Sequence, residues 1–366
     1  MFVRYSYLPE QFNDADDLWL QLKDFVKTGD FTLGKELEKF EKNFSNLMKS
    51  KFAIGVNSGT DAIKLSLKAL DVKAGDEVIT SANTFVATVG AINEIGAKTV
   101  FVDCDDKFCM NVDQVESKIT SKTKAVVPVH FSGYMTDMPK LMNICDKNNI
   151  HVVEDACQSI LAEINNKLSG TWGETGCFSL HPLKNINVWS DGGIIITNNE
   201  NIYEKIKLLR NHGLLDRDHV EILGYNSRLD TFQSIVANWL LPQANDIADK
   251  RIANAKYYDE NFSKINSLKL PVRPKNYKIV YHLYMIFAER RDELYKYCLE
   301  NGIEAKIHYP IPMYLQNAMR YLAHKKGDFP EADYQASNLI SFPCDQYITK
   351  NQQDYVIKIV NSFYNK

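Results

Sequence analysis

The sequence predicts an α/β protein: a large domain on a mostly parallel sheet, followed by a smaller α+β domain. Three observations carry this. From about residue 50 to 210, short β-rich runs alternate with helical patterns. Those runs lack strict polar–apolar alternation, as expected of strands covered by helices on both faces. After about residue 245 the pattern changes to one long charged helix and mixed short elements. The 366 residues also exceed one typical core and fit two. The division expected is 1–245, with an N-terminal arm over 1–30, and 246–366.

The strands read as 52–56, 77–80, 99–102, 125–129, 151–154, 176–179 and 193–197, each rich in Val, Ile, Phe or Thr. Helical patterns intervene at about 60–70, 85–94, 111–119 and 138–148. A further helix starts at Asp230, where Asp-Thr-Phe-Gln has the form of a capping box closed by Gln233, and Pro242 ends or kinks it. Beyond it lie a charged helix over 248–261, extended chain over 278–288, a helix over 291–301 and extended chain over 304–309.

Composition narrows the function. Hydrophobic residues make up 45% and charged residues 24%, with a net charge of −3. There is no basic excess for nucleic acid or an anionic membrane. The N-terminus lacks a basic region followed by an apolar run, and no stretch has the apolar length of a membrane span, so a cytoplasmic protein is expected. Seven cysteines, at 104, 109, 145, 157, 177, 298 and 344, show no zinc spacing and read as buried reduced thiols. Cys157 and Cys177 are taken as packing residues, and no metal site is expected. His130, His181 and His308 show no catalytic pairing along the sequence.

Three segments carry chemistry. Ile54-Gly-Val-Asn-Ser58-Gly59-Thr60-Asp61 ends a strand in small residues and opens a helix. Gly59 lets a ligand approach the backbone, and unpaired first-turn amides make a phosphate cradle. The alternative is an ordinary turn capped by Ser58 or Thr60. No GxGxxG or GxxxxGK(S/T) occurs, so dinucleotide and P-loop readings fail. Asp155 follows His-Val-Val-Glu at a strand's C-terminal end, the edge where open α/β sheets bind ligands. Gln158 lies three residues on, and a helix cap is the alternative reading for the pair. Lys184, in Phe178-Ser179-Leu-His-Pro-Leu-Lys184-Asn185, falls between two buried strands, where a desolvated amine becomes nucleophilic. Amine and carboxylate together are what a protein adds to pyridoxal 5′-phosphate (PLP): a Schiff-base partner and a partner for the pyridinium nitrogen. Ser179 can bind the phosphate and Gln158 the ring hydroxyl. Phe85, after the second strand, can stack on the ring or sit in the core.

With these segments in hand, the chain resembles the DegT/DnrJ/EryC1/StrS family of PLP-dependent sugar aminotransferases. The resemblance runs through NSGTDA (57–62), NTFVAT (83–88), PVHFSG (128–133), EDACQS (154–159), FSLHPLKN (178–185), NSRLD (226–230) and HYPIP (308–312). It implies fold type I of PLP enzymes and a homodimer with active sites at the subunit interface. It gives Lys184 the Schiff base, Asp155 the pyridinium and Gln158 the ring hydroxyl. Gly59, Thr60 and Ser179, with Ser58 beside them, fall to the phosphate. Asn226 reaches it from the neighbouring subunit, and Phe85 stacks on the ring. A dehydrating branch of the family carries His where the aminotransferases carry Lys, so Lys184 favours transamination. The run Trp189-Ser-Asp-Gly-Gly departs from the more usual Gly-Glu-Gly-Gly.

The implied reaction moves an amino group from L-glutamate to a keto sugar. A nucleotide-linked keto-deoxy-sugar is expected, in amino-sugar synthesis for a surface polysaccharide or glycoconjugate. The alternatives are a free keto-octulosonate-type acid sugar as acceptor, a lyase or dehydratase on the same scaffold, and a non-catalytic regulatory protein. His308 and Tyr309 from the small domain, and Arg4 and Tyr5 from the arm, are the candidate substrate contacts.

Overall fold

The computed structural model describes residues 1–365. All seven expected strands form, in one sheet: β1 (Phe52–Val56), β2 (Glu77–Ser81), β3 (Lys98–Val102), β4 (Thr123–Val127), β5 (His151–Asp155), β6 (Thr175–Ser179) and β7 (Gly193–Thr197). Their order across the sheet is β1-β7-β6-β5-β4-β2-β3. β6, β5, β4, β2 and β3 run parallel. β7 is antiparallel to both neighbours, with Val56 opposite Gly193 and Ser179 also opposite Gly193. The C-terminal ends of the parallel strands and the first residue of β7 therefore share one sheet edge. Apolar clusters cover the sheet on both sides, which is why the strands read as unbroken apolar runs.

The helix Gly59–Ala69 begins with Ser58 as N-cap, whose side chain accepts from the Asp61 amide at 3.1 Å. The helix Thr231–Leu240 starts where expected, with Asp230 accepting from the Phe232 amide at 2.8 Å. Its capping box does not close. The Gln233 side chain instead accepts from the Trp189 amide at 2.9 Å, because Trp189 packs against this helix among Phe12, Trp19 and Phe232. A closed box occurs at Thr349 and Gln352, ahead of the helix Lys350–Tyr364.

The expected helix over 111–119 is reduced to a 3₁₀ turn, Val112–Gln114, and one α-turn, Val115–Lys118. The long helix Ala244–Phe262 leads to a second, antiparallel sheet of β8 (Leu268–Lys269), β9 (Tyr284–Ala288) and β10 (Leu339–Phe342), with β9 central. The extended chain expected over 304–309 contributes only the Lys306–Ser341 bridge. The arm is tied to this part of the chain by the parallel bridge Val3–Ile303. One apolar cluster joins Val129, Phe131 and Tyr134 to Tyr258, Tyr284 and Phe342, so the two sheets share packing. Among the described residues no helix is long and apolar enough to cross a membrane.

Candidate active site

A cavity of about 380 Å³ opens at the shared strand edge. Ser58, Gly59 and Thr60 after β1, Phe85 after β2, Asp155 and Gln158 at and after β5, and Ser179 and Lys184 at and after β6 all line it. Tyr5 of the arm, and His308 and Tyr309 from the chain between β9 and β10, close it. Residues from separated parts of the chain meet here because parallel strands deliver their C-terminal loops to one edge.

Two of the candidate residues stand away from this wall, Asn226 in keeping with its expected role toward a neighbouring subunit. Arg4 does not line the cavity: its guanidinium pairs with Glu10 and lies 4.7 Å from the centre of the Tyr7 ring. Asn226 is exposed, bridges to Asn211 and accepts from Arg228 Nε at 3.0 Å, outside this chain's own cavity.

Asp155 is 5% exposed. Its backbone is clamped by the amide of His130, which donates to its carbonyl at 3.0 Å, and by the carbonyl of Pro128, which accepts from its amide at 2.9 Å. One carboxylate oxygen accepts from the Cys157 amide at 3.2 Å and the other from the Thr88 hydroxyl at 2.7 Å. Gln158 is held by the Ser132 amide, which donates to its Oε1 at 2.7 Å. Lys184 is half-buried on the facing wall, its amide donating to the His181 carbonyl at 2.8 Å and its carbonyl accepting from Asn187 at 2.9 Å. Burial lowers the pKa of its amine, against the opposing pull of Cys157 and Asp155.

The geometry corrects the reading of Cys157 and completes those of Cys177 and His130. Cys157 is a cavity-wall residue, not interior packing, with its thiol pushed well up by burial and by Asp155. Cys177 is interior, 3.3 Å from Ser66 Oγ. His130 does have a partner: its Nε2 lies 2.9 Å from Glu154, both side chains being fully buried. The Thr136 amide donates to His130 Nδ1 at 3.3 Å, which fixes the proton on Nε2. Glu154 also accepts from the amides of Gly170, Trp172 and Gly173. His282, Arg251 and Asp345 line the cavity unannounced by any motif, and Asp191 of the Trp189–Gly193 run joins them. Arg251 and Asp345 form a buried ion pair at 3.2 Å. Burial drives the pKa of His308 down to about 4 and that of His282 well below its ordinary range, so both are neutral imidazoles at pH 7.

The site has the shape and chemistry for PLP. A Cβ on Gly59 would lie 2.8 Å from both Cys157 Sγ and Ser179 Cβ, so only glycine leaves the cradle open. Ser58 takes the Asp61 amide, and the Ser58 carbonyl takes that of Ala62. The amides of Gly59 and Thr60 open the helix without intrahelical acceptors. A carboxylate and a desolvated amine stand in the same cavity.

A parallel-stranded α/β sheet with this edge cavity defines a PLP-type transferase scaffold. The chain belongs to the DegT/DnrJ/EryC1/StrS aminotransferase family, whose model matches residues 14–361. It is 37% identical to the pleiotropic regulatory protein of Geobacillus stearothermophilus, over 98% of this chain and 97% of that one. It is 36% identical to the UDP-N-acetyl-3-dehydro-alpha-D-glucosamine 3-aminotransferase of Acidithiobacillus ferrooxidans, over 90% and 88%. Among solved structures it superposes on S. venezuelae DesV in complex with a ketimine intermediate with a TM-score of 0.97 at 32% identity, over 100% of this chain and 99% of that one.

Proposed function

We propose that this chain binds PLP and transfers an amino group from L-glutamate to a nucleotide-linked keto-deoxy-sugar. The product is an amino sugar for a surface polysaccharide or glycoconjugate, made in the cytoplasm. The observation that carries the proposal is the meeting of Lys184, Asp155 and the Gly59 cradle in one cavity. When bound, PLP supplies a ring that takes up the electron pair left as the donor's Cα–H bond breaks.

The chain's own residues supply the rest. Gly59, Thr60 and Ser179, with the Ser58 cap, hold the phosphate. Lys184 anchors the cofactor covalently. With the cofactor bound, its free amine would be the base that takes the donor's Cα proton and the acid that delivers it to the cofactor's C4′ carbon, a role suited to a desolvated amine. Asp155 keeps the ring nitrogen protonated, Gln158 binds the ring hydroxyl, and Phe85 covers one ring face. Tyr5, His308 and Tyr309 bound the space left for donor and sugar. The neutral imidazole of His308, fixed at 2.9 Å to Ser341 Oγ, offers a hydrogen bond without a charge.

Homodimerisation completes the reading. Phe85, Val86 and Leu183 stand half or more exposed beside the cavity, an apolar rim that a second copy would cover. Asn226 of that copy then reaches the phosphate.

Absorption spectra of the PLP-loaded protein before and after L-glutamate, with 2-oxoglutarate assayed, test the proposal. Glutamate should convert the cofactor to its amino form with stoichiometric 2-oxoglutarate. Borohydride treatment beforehand should fix PLP to the Lys184 peptide. Similarity to a regulatory protein favours a second reading, a regulator without turnover. A bound cofactor that no amino donor changes would support it, and failure to bind PLP would overturn the first reading.

A further inference from the structure

Thr88 stands behind the cavity wall and has been given no role so far. Its hydroxyl donates to Asp155 Oδ2 at 2.7 Å and lies 2.9 Å from the Thr84 hydroxyl. Both threonines are buried, at 0% and 1% exposure. An ionised carboxylate only accepts, so the one hydroxyl proton of Thr88 is committed to Asp155. The Thr88 oxygen therefore accepts from Thr84, and the relay has one polarity: Thr84 to Thr88 to Asp155. Thr84 lies just ahead of the helix Val86–Glu94 and Thr88 in its first turn, and the 2.9 Å between their hydroxyls brings the two together. Between them, Phe85 and Ala87 line the cavity. A single turn of chain thus forms the wall in front and the relay behind it.

Resting on the PLP reading above, we propose that Thr88, oriented by Thr84, is a positioning residue that keeps Asp155 ionised and fixed in rotation, so that the proton Asp155 shares with the ring nitrogen stays on the ring. A hydrogen bond to the charged form of a carboxylate lowers its proton affinity, and losing the bond raises it. Asp155 deprived of Thr88 would draw that proton toward itself and leave the ring a weaker electron sink.

The titratable groups facing Asp155 are Lys184, Cys157, Cys177 and Tyr309. Burial pushes both thiols and the phenol up, so these three are neutral at working pH. Lys184 is the basic neighbour within that set, and covalent attachment of the cofactor would engage it. The adjacent Glu154 is occupied by His130 and three backbone amides. Two hydrogen bonds therefore act on the Asp155 carboxylate throughout turnover, the Cys157 amide on one oxygen and the hydroxyl relay on the other, and the relay is the one that a side-chain substitution can remove.

The experiment compares wild type, Thr88→Val, Thr88→Ser and Thr84→Val, each loaded with PLP carrying ¹⁵N in the ring. Thr88→Val should move the ring ¹⁵N resonance toward unprotonated pyridine. It should shift the acid limb of kcat/KM for glutamate to higher pH and lower kcat about tenfold, the scale of one charge-assisted hydrogen bond, with KM little changed. Thr88→Ser should restore all three, and Thr84→Val should show a smaller shift in the same direction. A wild-type resonance and acid limb in Thr88→Val would overturn the proposal. Thr88→Ser failing alongside Thr88→Val would also overturn it, by assigning the effect to packing. If thermal melts show that Thr88→Val does not fold, Thr84→Val decides by the same readouts. Wild-type protein that takes up no PLP would refute the underlying reading, an outcome distinct from a relay that fails in loaded enzyme.

Discussion

Lys184 is an amine held where its charged form is disfavoured, which has a cost that can be measured without any cofactor. Burial lowers its folded-state pKa, whereas the unfolded chain keeps the ordinary value of about 10.4. The unfolded state therefore binds this proton more tightly, and stability rises with pH between the lowered value and about 10.4. Apo Lys184→Met should melt above apo wild type at pH 7, with the gap closing as pH approaches the ordinary lysine range. A gap that stays constant with pH would mean that the amine is well solvated. The same variant, loaded with PLP, should lose turnover by at least about a thousandfold, since nucleophile and proton carrier vanish together. At this scale much of the site was legible in the sequence. Ser58, Gly59, Thr60, Asp155, Gln158, Ser179 and Lys184 sit next to strand ends, where local pattern announces them. Arg251, His282 and Asp345 were not, because they reach the cavity from a helix and loops whose packing no local pattern encodes. Arg4 was misplaced because its nearest carboxylate, Glu10, is supplied by the arm itself.

At the scale of elements, the cradle depends on how closely two strands approach. A Cβ on Gly193 would lie 2.3 Å from the Ser58 carbonyl oxygen and 2.9 Å from the Gly59 amide nitrogen. Both are backbone atoms, so the clash cannot be relieved by a rotamer change. Gly193→Ala should cost about 1–3 kcal/mol by urea unfolding, as overpacking does. It should also weaken PLP binding measurably, because the atoms displaced are those of the phosphate cradle. Unchanged affinity in a destabilised variant would separate β7 from the cradle. The seven strands were legible because each is a short apolar run bounded by turn residues. The reversed direction of β7 was not, since a strand buried on both faces has the same composition whichever way it runs. The open capping box at Asp230 has a comparable cause: Gln233 could serve the helix or a neighbour, and Trp189, packed from elsewhere in the chain, decided it.

For the whole molecule, the proposal of shared active sites makes a prediction that single-chain geometry cannot mimic. Lys184→Ala and Asn226→Ala should each be impaired as homodimers. Mixed after reversible dissociation, they should regain activity, since each hybrid contains one cavity with a native lysine and, from the other copy, a native asparagine. Absence of recovery, with hybrid formation verified by native mass spectrometry, would confine Asn226 to its own subunit. Stabilisation at this scale comes from the cluster that joins Val129 and Phe131 to Tyr284 and Phe342. That cluster packs the second sheet against the strand edge that carries Asp155.

The place of β7 in the sheet also bears on how the protein is made. β1 stands at the edge of the sheet, and its hydrogen-bonded neighbour is β7, not one of the strands that directly follow it in the chain. On the ribosome, β1 and the glycine turn behind it must wait for residues 193–197 to emerge before they have a partner. At synthesis rates of about 5–20 residues per second, that wait is on the order of ten seconds. Throughout it, Phe52–Val56 is an unpaired apolar strand, the kind of segment that nascent-chain chaperones shield. Cofactor capture is accordingly a late event in the birth of this polypeptide, set by the sheet's connectivity rather than by the supply of vitamin.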